Sequence, residues 1–267
     1  MKQKNSGIPA LRRGLMAASI ALGLGLTASG AMAAGEMNAD AEEILKSMSK
    51  FLTGQKTFSV TADVSNEFIT VDAQKLQLNS QANMVVERPG RFYATRKGRF
   101  ADVEMFYDGS KLTVYGTSLN GYLQKDVSGS IDKAVMALES SSGMSMPGAD
   151  LLLSDPYAAL TSGATSSGYY GTGWIGGVKA HHLAFRTPTV DWQIWVKDGD
   201  QPVPLKYVIT SKRIAGAPEY SVVMSNWNLK PTIAADRFKF VAPKGATNLK
   251  GIEVDETGEI TITEGAK

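Results

Sequence analysis

The chain has 267 residues, 28 Lys and Arg against 26 Asp and Glu, and no cysteine. The missing cysteine excludes disulfides, thiolate metal sites, a cysteine nucleophile and a lipidated cysteine behind a signal. Near-neutral charge without a clustered basic face argues against nucleic-acid binding.

The first 33 residues read as a cleavable secretory signal. Lys2, Lys4, Arg12 and Arg13 form a basic n-region, Leu15 to Ala28 is apolar and uncharged, and Ala31-Met32-Ala33 gives the small-x-small cleavage pattern. Arg12-Arg13 leaves the export route open between an ordinary basic n-region and a twin-arginine signal. Losing those four bases leaves 24 against 26 acids, a mature net charge of about −2. The expected destination is the periplasm.

Residues Asn38 to Gly54 predict an amphipathic helix. Ala41, Ile44, Leu45, Met48, Phe51 and Leu52 recur at three- and four-residue spacing, with Asp40 as candidate cap and Glu43 completing a capping box. From Thr57 to about Gln124 the period changes to strands. Phe58–Val64 alternates, and Leu76–Leu78, Met84–Val86, Arg91–Thr95, Val103–Tyr107 and Leu112–Tyr115 follow. Turns are expected at Pro89-Gly90 and Asp108-Gly109. Such short connections make the strands antiparallel.

Ser128 to Glu139 predicts a second helix, and Leu151–Leu153 a short helical patch between a methionine-bearing loop and a third helix. Asp155 caps that third helix, with Pro156 in its first turn. Thr161 to Gly177 is rich in Gly, Ser and Thr. Its Gly171–Gly176 G-x-G-x-x-G string leads into another strand, so it reads as a flexible turn, not a dinucleotide site. Strands return at Val178–Arg186, Val190–Lys197, Pro204–Lys212 and Tyr220–Asn228, with a last one at Phe238–Val241. Residues 34–250 form one β-rich domain in this reading, and 251–267 an acidic, flexible tail.

Little here is catalytic. His181 and His182 are adjacent on a strand, so they point to opposite faces and cannot share one metal. There is no G-x-S-x-G, and the Asp255-Glu256 pair sits in a polar tail. The expectation is a non-enzymatic binding protein without metal or cofactor. In Asp191–Lys197, Trp192, Ile194 and Val196 share one face and Trp195 takes the other, which suggests a sheet covered on both sides.

The strings Arg88-Pro89-Gly90-Arg91-Phe92, Tyr107-Asp108-Gly109, Asp155-Pro156-Tyr157-Ala158, His181–Arg186, Asp191–Trp195, Lys206–Thr210 and Pro218-Glu219-Tyr220 resemble a bacterial family of predicted periplasmic proteins of unknown function, over about residues 40 to 245. The order of elements is similar to the fold of the outer-membrane lipoprotein carriers (LolA, LolB and relatives). That resemblance implies a mainly β, α+β fold: a highly curved antiparallel sheet forming a half-open barrel, with an N-terminal helix and inserted short helices as plug or lid. It also implies an apolar inner face that holds acyl chains. Alternation then gives the inward candidates Phe92, Met105, Tyr107, Val114, Leu183, Phe185, Trp192 and Ile194, with Met144 and Met146 in the lid. The expected function is carriage or sensing of a lipid or other apolar ligand. The alternative is an envelope protein-interaction or stress-sensor module, and a hydrolase comes after both.

Overall fold

The structure is a computed structural model that describes residues 36–99, 102–142, 146–254 and 260–263. The expected signal and Met144 lie outside the described residues.

Helix α1 spans Ala39–Gly54 and buries Ala41, Leu45, Met48 and Leu52 of the expected stripe, with Ile44 and Phe51 partly buried and Ser49 buried beside them. Its cap is Asn38, not Asp40: Asn38 Oδ1 accepts the Ala41 amide at 2.9 Å. Asn38 has the extended backbone that a cap requires, while Asp40 is already inside the first turn. Six strands follow: β1 (Thr57–Ile69), β2 (Lys75–Glu87), β3 (Arg91–Lys97), β4 (Asp102–Tyr107), β5 (Lys111–Gly116) and β6 (Gly121–Asp126). The two short runs expected near Leu76 and Met84 are one strand, β2. Helix α2 (Ile131–Ser142), a 3-10 turn (Ala149–Leu152) and helix α3 (Pro156–Thr161) come next. Asp155 caps α3 through the Ala158 amide at 3.0 Å, with Pro156 in the first turn.

The remaining large strands are β7 (Ser166–Ile175), β8 (Val178–Arg186), β9 (Val190–Lys197), β10 (Pro204–Ser211) and β11 (Glu219–Asn228). Strand β7 lies in the Gly-rich stretch expected as a turn. Its glycines hide the alternation, and a bulge between Tyr169 and Thr172 breaks the period. Phe238–Val241 is no strand, because it has no neighbour to pair with. Three short strands end the chain: β12 (Thr247–Asn248), β13 (Gly251–Val254) and β14 (Ile260–Thr263). The last two pair antiparallel, so the described part of the expected tail forms a ladder.

Twelve strands make one curved open sheet in the order β12-β6-β5-β4-β3-β2-β1-β11-β10-β9-β8-β7. All pairs are antiparallel except β12 with β6. One meander runs outward from β1 to β6, and a second runs inward from β7 to β11, where it joins β1. The chain leaving β6 must therefore cross ten interstrand gaps, about 48 Å at ~4.8 Å each, to begin β7. The α2–α3 insertion makes that crossing. The topology thus lays helices over one face of the sheet.

That face holds two cores. Helices α1 and α3 pack on β7–β11 with Leu183, Phe185, Trp192, Ile194 and Tyr207. Helix α2 packs on β3–β5 with Phe92, Val103, Tyr107, Leu112 and Val114. On the opposite face, Phe240 rests against Phe106, Tyr115 and Tyr122, with centroids 5.0–5.6 Å apart. The chain then turns around the β6 edge. Leu249 donates its amide to the Tyr122 carbonyl at 2.7 Å and is buried with the α2 core. This wrap shields one sheet edge. The β7 edge carries Tyr170, 60% exposed, and Trp174, 71% exposed.

Three turns meet below α2. Ile131 donates to the Pro89 carbonyl at 2.9 Å, Gly129 to that of Gly109 at 3.1 Å, and the Tyr107 hydroxyl to that of Gly129 at 3.0 Å. Two of the strings that carry the family resemblance thus touch at one point. A Cβ on Gly90 would sit 2.5 Å from the Gly129 carbonyl oxygen, which is backbone and cannot step aside. Gly90→Ala is expected to destabilise the fold by roughly 1–3 kcal/mol in urea unfolding. Gly121→Ala meets the Leu249 side chain at the same 2.5 Å, but a rotamer change relieves it, so the loss there should be smaller.

Candidate ligand-binding seam

Strand register places the eight expected inward side chains on the helix-covered face. Phe92 stands opposite Tyr107, Met105 opposite Val114, Leu183 opposite Ile194, and Phe185 opposite Trp192. They do not converge on one lumen. Phe92, Tyr107 and Val114 are buried beneath α2, with Met105 and Met146 partly buried beside them. Leu183, Phe185, Trp192 and Ile194 are buried in the other core. There the Phe185 and Trp192 rings stack at 4.0 Å and 5°, and Tyr207 meets Trp192 edge-on at 5.7 Å.

Trp195 takes the other face. It stacks on His182 at 4.2 Å and 8°, and the Lys206 ammonium lies 5.1 Å from its ring centroid. His182 Nε2 bonds Gln193 Oε1 at 2.9 Å. His181 points the opposite way, bridging the Tyr169 hydroxyl at 3.0 Å and Asp198 Oδ1 at 3.1 Å. Each histidine therefore has its own partners on its own face.

The two cores meet along a seam. Val60 on β1, Trp227 on β11 and Leu229 just beyond it are partly buried and touch both. Phe58, one turn of the alternation from Val60, lies 5.6 Å from the Trp227 ring. Over Phe58, at 6.0 Å, is the guanidinium of Arg88. Arg88 follows β2 with the same parity as Met84 and Val86, so the backbone aims it to the helix-covered face. It was not among the expected site residues; the even-numbered run Met84-Val86-Arg88 was the available signal.

The plug formed by α2, the 3-10 turn and α3 packs on the two cores through Ile131, Ala134, Val135, Leu138, Leu151 and Leu160, and polar bonds fasten it further. Arg88 Nη1 donates to the Leu152 carbonyl at 2.7 Å and the Leu153 carbonyl at 3.3 Å. Asp132 accepts the Ser154 amide at 2.7 Å, and Glu139 accepts that of Met146 at 3.1 Å. Tyr157 binds α1 twice, through Ser49 Oγ at 3.1 Å and Glu42 Oε1 at 2.9 Å. Against these bonds stands a cost. Arg88 Nε and Nη2 are buried with no hydrogen-bond partner among the described residues. A buried donor left unsatisfied costs about 1–3 kcal/mol, more when charged. Burial lowers the Arg88 pKa, and the nearby Asp132 charge partly offsets that.

Asp150, in the 3-10 turn, is the other strained group. Burial raises its carboxyl pKa above the ordinary 3.8, and the Glu139 charge adds to the rise. Burial also raises the Tyr207 and Tyr220 hydroxyls, Tyr207 further under the Asp150 charge, Tyr220 to about 12. Because the folded state holds the Asp150 proton more tightly than the unfolded chain, this stabilisation is complete below pH 3.8 and is lost as pH rises through the raised value. Asp150→Asn should therefore gain on the parent protein as pH rises from about 3.8 until the raised value is passed, in paired urea titrations. Parallel curves over that range would refute the assignment.

Two grooves lie outside the seam. One, of about 510 Å³, is lined by Asp63, Ser65, Asn79, Gln81, Lys97 and Ser221 among others. By register these six side chains project from the face opposite the helices. The second, about 150 Å³, lies beneath Phe238–Phe240. None of the expected site residues lines either groove. Among the described residues no helix is long and apolar enough to cross a membrane, and no cluster of three or more His, Asp or Glu could hold a metal ion.

Known structures similar to this chain include LprF from Mycobacterium bovis, at 14% identity over 75% of this chain and 98% of that one, with a TM-score of 0.45. The MucA/MucB complex of Pseudomonas aeruginosa is similar at 15% identity, covering 76% of this chain and 62% of that one, with a TM-score of 0.42. A LolA superfamily protein, NE2245 from Nitrosomonas europaea, is similar at 11% identity over 75% and 97%, with a TM-score of 0.33. No curated protein matches the chain. Residues 41–250, nearly all of the sheet and both cores, match the model described as "Predicted periplasmic protein (DUF2092)", and the chain belongs to that periplasmic family.

Proposed function

We propose that the protein is a non-enzymatic periplasmic binder of a lipid-like ligand, taken up at the seam when the plug lifts. One observation carries this reading. Among the described residues the apolar face is divided into two cores joined along Val60, Trp227 and Leu229, and the 3-10 turn that spans them, with Leu151 in one core and Leu152 against the other, is tied to the sheet through Arg88. An acyl chain laid along the seam would replace the contacts that the plug gives up. At about 0.8 kcal/mol per buried CH₂, a dozen methylenes contribute roughly 10 kcal/mol before ordering costs. The expected ligand contacts are Met105, Met146, Trp227 and the inward edges of both cores. Mass spectrometry of protein purified from its native envelope should find co-purifying lipid, and added lipid should change tryptophan emission. Reproducibly empty protein with unresponsive emission would defeat the reading.

A second reading rests on β7. That edge strand has no charged residue in SSGYYGTGWI and leaves Tyr170 and Trp174 exposed, whereas exposed edges are usually blunted by charge. An envelope protein adding a strand there is the alternative. It requires a stoichiometric protein partner, recovered without lipid, whose capture is lost on placing a lysine in β7.

A further inference from the structure

Arg88 uses only part of its hydrogen-bonding capacity. Nη1 faces the plug and is satisfied by the Leu152 and Leu153 carbonyls. Nε and Nη2 are both buried and without a hydrogen-bond partner among the described residues. These two nitrogens form one edge of the guanidinium, with parallel N–H bonds spaced to match two oxygens of one carboxylate or phosphate. Buried polar groups are nearly always bonded, so a whole unsatisfied edge calls for an explanation. Its setting is apolar on one side, where the Phe58 ring lies 6.0 Å away and Trp227 lies beyond it. The acid close enough to act on its charge is Asp132, which accepts the Ser154 amide.

We propose that the Nε–Nη2 edge of Arg88 is the head-group site for an anionic lipid, binding a carboxylate or phosphate while the acyl chain lies in the seam. The assignment rests on the lipid reading above and narrows it to amphiphiles with an oxyanion head. Arg88 then has two roles on its two sides. Nη1 holds the plug shut, and the opposite edge receives the ligand that replaces it. A neutral hydroxyl head offers one uncharged oxygen, so it pairs with the edge incompletely and more weakly. A lysine would keep the charge but lose the paired N–H geometry.

The test is calorimetric titration of the full mature chain with three probes of equal acyl length: oleate, 1-oleoyl lysophosphatidic acid and oleyl alcohol. At least one anion is expected to bind ten times or more tighter than the alcohol, and the preferred anion identifies carboxylate or phosphate as the head. Arg88→Gln frees the plug for all three probes alike, so the readout is the ratio: it should fall below about three, and Arg88→Lys should fall between. Should Arg88→Gln fail to fold, Asp132→Asn serves instead: it loosens the plug for all three probes alike, and removing the competing acid should raise the anion-to-alcohol ratio. Equal binding of acid and alcohol, or a preference that survives Arg88→Gln, overturns the head-group site and leaves the lipid reading standing. Binding of none of the three overturns both.

Discussion

Trp192→Ala is expected to destabilise the protein by about 3–5 kcal/mol, the range for deleting a buried large aromatic side chain. Trp192 is 3% exposed, stacked on Phe185 and met edge-on by Tyr207, so its removal leaves a void between rigid rings. Trp195→Ala, three residues away, should cost about 1–2 kcal/mol, since it forfeits a histidine stack and a lysine contact on the face without helices. Urea unfolding followed by far-UV circular dichroism measures both. A reversal of the order would mean that the helices cover the other face.

Phe58→Ala should be of similar size, about 3–5 kcal/mol, because the ring is fully buried. Its consequence for binding should differ. Phe58 belongs to the α2 core, yet it touches Trp227, which both cores share, and lies beneath Arg88. The void would open at the seam and not within one core. Saturating oleate should therefore recover a larger share of the stability lost in Phe58→Ala than in Trp192→Ala. Equal recovery in the two variants would place the ligand elsewhere.

Much of this fold is readable from side-chain period. The α1 stripe, the Asp155 cap and strands β8 and β9 coincide with their sequence patterns because each signal is local. The shared face of Phe92, Met105, Tyr107, Val114, Leu183, Phe185, Trp192 and Ile194 is readable for the same reason, since antiparallel register keeps parity from strand to strand. Strand β7 is not readable, because glycines occupy the positions that would show alternation and a bulge shifts the rest. Phe238–Val241 misleads in the opposite sense: Phe238 and Phe240 serve packing, not pairing, and Val241 is left exposed. The division into two cores depends on where the α2–α3 insertion crosses the sheet, a long-range property that no window of sequence reports. Arg88 falls between these cases. Its parity is local, but its burial depends on the plug above it.

The account stands or falls on where a lipid acts. Hydrogen exchange of the protein with and without oleate, read by peptide mass spectrometry, tests this directly. Changed exchange is expected in the plug, residues 131–142 and 146–161, and in the stretches of β1, β2 and β11 around Val60, Val86 and Trp227, with the groove around Asn79 and Gln81 and the β7 edge unchanged. Oleate-dependent changes confined to the groove or to β7, or no change in the plug at saturating oleate, would contradict it.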